Sequence, residues 1–169
     1  MNHPQDKPEA PYIRPSWDQY FLSIVKMVGS RGTCDRFRGG CVITKDKRII
    51  ATGYAGSPIG LPHCDDLGHE MHSVTNPDGS VSRHCVRTIH AEQNAICEAA
   101  RQGIAIEGGT LYCQMTPCYV CAKMLINVGL KRIVCAKDYH AGQRSKEIFK
   151  EAGLEYELVE ESVTEYADQ

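Results

Sequence analysis

TLYCQMTPCYVCAKMLINVGLKRIVCA, residues 110–136, sets the architecture. Thr110 to Gln114 reads as a strand, Cys118 to Val128 as a helix closed by Gly129, and Arg132 to Ala136 as a second strand. A strand, a helix and a strand joined by short connections form a right-handed crossover, which makes the two strands parallel. Downstream, Gln143 to Ala152 reads as a helix and Leu154 to Val159 as a further strand. Upstream, Ile89 to Arg101 reads as a helix, and Cys41 to Thr44 with Ile49 to Tyr54 flank the charged turn Lys45-Asp46-Lys47 as an antiparallel hairpin. A first helix opens at Ser16, a capping residue, and carries Tyr20, Phe21, Ile24, Val25 and Val28 at helical spacing. The expected class is α/β in three layers, a central mixed sheet of about five strands flanked by helices.

With 169 residues, the chain suits one globular domain. Residues 1–15 hold four of the eight prolines and read as an extended leader. The domain is expected over 16–162, interrupted at about 56–87 by an irregular insertion with four histidines and two cysteines, and followed by a frayed tail over 163–169. No internal repeat is present.

A formal charge of -2 and a pI near 6.4 give no global attraction for long nucleic acid. No apolar run is long enough to span a membrane, and the polar N-terminus lacks a secretory core, so the expected location is the cytoplasm. The nine cysteines are odd in number and mixed with histidine, which points to metal ligation in preference to a disulfide framework.

The chemistry concentrates in His90-Ala91-Glu92 and Pro117-Cys118-Tyr119-Val120-Cys121. Cys118 and Cys121 are three apart at a helix start, so both thiols face one point, and the helix terminus favours thiolate. With His90 they make three ligands for Zn2+ and leave a fourth tetrahedral position for water. Zinc-bound hydroxide then serves as nucleophile, and Glu92 as the shuttle for its proton. Taken singly these residues have plainer readings: the cysteine pair as a redox dithiol, a closed four-ligand structural zinc, or Glu92 as a solvated helix residue. Jointly they match the signature by which zinc nucleobase deaminases are recognised.

From about Trp17 to Val159 the chain resembles the cytidine and deoxycytidylate deaminase superfamily, and within it the deoxycytidylate deaminases. The resemblance is carried by His90-Ala91-Glu92-Gln93-Asn94-Ala95-Ile96, Cys41-Val42-Ile43, Gly53-Tyr54, Gly56-Ser57-Pro58 and Gly60-Leu61-Pro62-His63-Cys64-Asp65-Asp66. It implies the cytidine-deaminase-like fold and hydrolysis of dCMP to dUMP and ammonia, which supplies thymidylate synthesis. It further implies a backbone contact from Ala91 to the pyrimidine and Tyr139 near the ring or sugar, although Tyr139 also reads as an ordinary aromatic at a sheet edge. Such enzymes commonly form homohexamers, with dCTP as activator and dTTP as inhibitor, Mg2+ accompanying the nucleotide. One departure stands out: many relatives carry asparagine in a Gly-Tyr-Asn-Gly block, where this chain has Ala55, whose side chain makes no hydrogen bond.

Donors for a substrate phosphate are expected before the first strand, from Ser30, Arg31 and Arg36, with Ser57 in the glycine-rich turn. The alternative is a solvated charged loop. Cys34, Cys64, His72 and Cys85 are read as a second, structural metal set, with His69 or His84 able to replace His72. Otherwise they are buried free cysteines and solvent histidines. The competing functions are deamination of free cytosine, a nucleoside or tRNA adenosine, and, in another class, a catalytically silent zinc- and nucleotide-binding regulatory domain.

Overall fold

The computed structural model describes residues 12–75, 79 and 81–159, and the backbone of 163–164. The elements run α1 (Trp17–Gly29), β1 (Gly40–Lys45), β2 (Arg48–Tyr54), α2 (Cys64–Leu67), β3 (Met71–Thr75) and β4 (Val81–Cys85). They continue α3 (Ala91–Gln102), β5 (Thr110–Met115), α4 (Tyr119–Asn127), β6 (Arg132–Tyr139), α5 (Gln143–Glu151), β7 (Glu155–Leu158) and β8 (Val163–Thr164). The main sheet has the order β2-β1-β5-β6-β7, with β8 pairing the end of β6. β1 is antiparallel to both β2 and β5, whereas β5, β6 and β7 run parallel, so the sheet is mixed as the crossover argument requires.

Two-residue alternation sorts the sheet into two faces. Val42, Tyr112 and Val134 meet Phe21, Leu22 and Val25 of α1. Cys41, Ile43, Leu111, Cys113, Ile133 and Cys135 face the other way, against Ala95, Ala99, Leu125 and Phe149 of α3, α4 and α5. The result is three layers. α1 begins where its capping box forms, the Gln19 N–H donating to Ser16 Oγ at 3.2 Å and the Ser16 N–H to Gln19 Oε1 at 2.9 Å. The β1–β2 turn places Asp46 and Lys47 at φ 51° and 60°, the twist that a two-residue hairpin loop needs.

The insertion departs from expectation. It contains the short helix α2 and the antiparallel pair β3–β4, in register from Met71↔Cys85 to Thr75↔Val81. Neither strand has a buried residue, so they carry no apolar stripe that a sequence reading detects. The expected tail also departs: the backbone of Val163 and Thr164 pairs parallel with Asp138 and Tyr139. Residues 1–11 of the expected leader and 165–169 of the tail lie outside the described residues. Among the described residues no helix is long and apolar enough to cross a membrane.

Candidate functional site

Two helix N-termini converge at the C-terminal end of β5. His90 is the N-cap residue of α3 and Cys118 that of α4, with Cys121 in the first turn of α4. The Nδ1 of His90 lies 3.4 Å from Cys118 Sγ and 3.4 Å from Cys121 Sγ. His90 is held by its own backbone, whose N–H donates to Gln93 Oε1 at 2.9 Å, and α3 is tied to β2 by Asn94 Nδ2 donating to the Tyr54 carbonyl at 2.9 Å. A Cβ on Gly53 would stand 2.1 Å from the Ala91 carbonyl oxygen, so glycine there lets α3 lie directly on the sheet.

Electrostatics separate the two thiols. A hydrogen bond from Cys121 lowers the Cys118 pKa to about 4 against the opposing effect of burial, and contact with His90 adds to the lowering. The same hydrogen bond, with burial, pushes Cys121 up. Its contact with Cys118 raises His90 to about 9. Burial raises the Glu92 carboxyl above the ordinary carboxylate value, partly offset by His90. One imidazole and two sulfurs, all within 4.8 Å of one another, match the borderline-soft donors that zinc prefers and leave one tetrahedral direction uncommitted.

His90 and Cys118 also line a cleft of about 130 Å³. Glu92 lies in its lining with Ala91 and Tyr139, as do Arg36 and Ala55. Arg36 Nη2 also donates to the Arg83 carbonyl at 3.4 Å. The other expected phosphate donors are not among the lining residues. Ser30 Oγ turns back to the Met27 carbonyl at 2.6 Å as part of the α1 terminus, and Arg31 is exposed. Ser57 Oγ is buried without a hydrogen-bond partner among the described residues. His84, Thr88, Gln114 and Thr116 line the cleft and were not anticipated there. Of these only Thr116 carried a signal, being next to the Pro-Cys pair.

Beside the cleft is a second cluster: Cys34, Cys64, His69 and Cys85, with their donor atoms within 4.8 Å of one another. Cys34 Sγ is 3.6 Å from His69 Nδ1, and Cys64 Sγ is 3.6 Å from Cys85 Sγ. Asp35 holds the far nitrogen of His69 at 3.1 Å. Desolvation, with neighbouring thiols, pushes Cys64 up to about 12. The histidine in this cluster is therefore His69 and not His72. The His72 side chain stands on the open face of β3, 62% exposed and 3.9 Å from the Glu70 carboxylate. His84 turns to the cleft, its Nε2 2.8 Å from Ser82 Oγ. Cys34 and Cys85 belong both to this cluster and to the wall of the cleft.

Known proteins resemble this chain in sequence and in fold. Residues 15–137 match the sequence model described as the cytidine and deoxycytidylate deaminase zinc-binding region. The chain is 40% identical over 147 residues to ComE operon protein 2 of Bacillus subtilis, covering 87% of this chain and 73% of that protein. It is 36% identical over 150 residues to the deoxycytidylate deaminase of Saccharomyces cerevisiae, covering 89% of this chain but only 47% of the yeast protein. Among solved structures, the dCMP deaminase of cyanophage S-TIM5 in complex with dCMP and dUMP superposes with a TM-score of 0.70. Sequence identity is 25%, and the match covers 88% of this chain and 100% of the phage chain.

Proposed function

The chain belongs to the cytidine and deoxycytidylate deaminase family, and from that premise we propose that it hydrolyses dCMP to dUMP and ammonia. The observation that carries the reading is the His90–Cys118–Cys121 triangle, two of whose members line one cleft with the buried carboxyl of Glu92. The yeast deoxycytidylate deaminase and the phage enzyme crystallised with dCMP and dUMP support the choice of substrate. We assign the reaction to residues 16–162.

His90, Cys118 and Cys121 would hold the catalytic zinc, which when bound would activate water for attack at the pyrimidine C4. Glu92 takes a proton from the attacking water and passes it to the ring nitrogen N3; it then takes the proton of the new C4 hydroxyl and gives it to the exocyclic amine, which leaves as ammonia as the C4–N bond breaks and the C4 carbonyl forms. Burial raises the Glu92 carboxyl above the ordinary carboxylate value in the metal-free chain. Ala91 offers backbone to the base, and Tyr139 walls the ring or sugar. Arg36 supplies the cation for the phosphate. Cys34, Cys64, His69 and Cys85 would hold a second, structural zinc, which would fix the insertion.

The test is a product assay on zinc-replete protein with dCMP, deoxycytidine, cytosine and an adenosine-containing tRNA. Fastest turnover of dCMP supports the assignment, and faster turnover of another member overturns it. Repeating the dCMP arm with dCTP and with dTTP, each with Mg2+, tests nucleotide regulation, and light scattering tests the hexamer. A silent regulatory domain has no use for Glu92, which speaks against that reading.

A further inference from the structure

Behind the cleft, four side chains join in a polar chain that the reaction as described does not use. Thr116 Oγ1 donates to Asp138 Oδ1 at 2.8 Å and lies 2.8 Å from the Tyr156 hydroxyl, which completes its hydrogen bonding as donor. The same Oδ1 accepts the backbone N–H of Tyr139 at 2.8 Å. Oδ2 accepts from Lys146 Nζ. Thr116 is 2% exposed and the Asp138 side chain 17%.

We propose that Asp138 is a positioning residue of the deamination site. One carboxylate oxygen ties the Thr116 end of the Thr116-Pro117-Cys118 turn to the backbone of Tyr139. It thereby fixes the width of the cleft between a zinc ligand and the aromatic wall. The transmission is short. Only Pro117 separates Thr116 from Cys118; its ring locks its own φ and restricts Thr116 as well, so little torsional freedom remains between the anchored hydroxyl and the thiol. On the other branch, a bonded N–H limits how Tyr139 can rotate about its backbone. Gly142 closes over the same pair: a Cβ there would come within 2.9 Å of Thr116 Cγ2 and 2.9 Å of the Tyr139 carbonyl oxygen. Burial opposes ionisation of Asp138, but Lys146, Thr116 and the Tyr139 N–H outweigh it and hold the carboxyl below its usual value, so it is an acceptor at neutral pH.

This inference rests on the cleft being the place where dCMP reacts. The experiment measures steady-state dCMP kinetics per folded, metal-loaded site in the full chain. Asp138→Ala is expected to lower kcat/KM roughly ten- to hundredfold, the scale of losing fixed geometry, at unchanged zinc content in the catalytic site. Lys146→Met is expected to stay near wild type, because it leaves both bonds to Oδ1. The double variant Asp138→Asn with Lys146→Met keeps an oxygen acceptor and removes the ammonium that would face the amide, and should recover most of the loss. Thr116→Val added to Asp138→Ala should cost nothing further. A purely structural role would make Lys146→Met as damaging as Asp138→Ala per folded site, and that result overturns the proposal. So does an Asp138→Ala crystal structure in which Tyr139 and Cys118 keep their separation. If the wild type leaves dCMP intact, the assigned substrate fails, and the crystallographic comparison alone decides the role of Asp138.

Discussion

Gly53 of β2 lies directly against Ala91 of α3, so that a Cβ built on the glycine would stand 2.1 Å from the Ala91 carbonyl oxygen. The contact falls one residue after His90 and one before Glu92. Gly53→Ala must push the N-terminus of α3 away from β2. Overpacking of this kind costs about 1–3 kcal/mol. Thermal denaturation should register that loss, and zinc retention on dialysis should fall with it.

Glu92→Gln preserves size while removing the proton carrier. The fold and the metal content should be unchanged and turnover should fall by roughly 10²–10⁴-fold. Turnover at the wild-type rate in fully metal-loaded protein would end the assignment.

Two of the four histidines in the insertion, His69 and His72, make opposite predictions. His69 sits among three thiols, whereas His72 faces solvent. Elemental analysis of purified protein should give two zinc ions per chain for the wild type and for His72→Ala. His69→Ala should give between one and two, because the accessory ion loses a ligand and binds more weakly.

Far from the cleft, Arg132 clamps Asp18 through bonds of 2.9 Å from Nη1 and 2.9 Å from Nη2, joining α1 to the start of β6. The hydrogen bonds to Arg132, with help from Tyr112 and against burial, hold the Asp18 carboxyl below its usual 3.8. A carboxyl whose folded pKa is depressed contributes stability above its unfolded value and loses it as pH falls through the folded one. Asp18→Asn should therefore cost about 1 kcal/mol at neutral pH, a modest figure because the pair is partly open to solvent. In denaturant titrations the gap between variant and wild type should close below about pH 4. A gap independent of pH would show that packing, not charge, accounts for the loss.

Where the chain packs on one face, its sequence announced the structure. The stripe of Phe21 and Val25 on α1 and the paired cysteines at the start of α4 repeat with the period of their helices, whereas β1 and β5, buried on both faces, read as short apolar runs bounded by turns. The β3–β4 hairpin did not, because strands with no buried residue have no apolar period to read. For the same reason spacing alone could not choose between His69 and His72. They differ in which way the chain turns between α2 and β3. Nor could it separate Arg36 from Arg31 or Ser30, since proximity to the cleft is decided by how the loop after α1 folds back toward Arg83. Thr116, Gln114 and His84 reach the cleft through the register of β5 and the hairpin, which are tertiary facts.

Cys34 and Cys85 form a party wall between the accessory cluster and the cleft. The β3–β4 segment they anchor has no buried residue, so zinc ligation would do there what oil does elsewhere in the domain. Scarcity of zinc would then be felt in the outline of the substrate's chamber while the sheet beneath stayed folded. In such a molecule, metal supply governs recognition as well as chemistry.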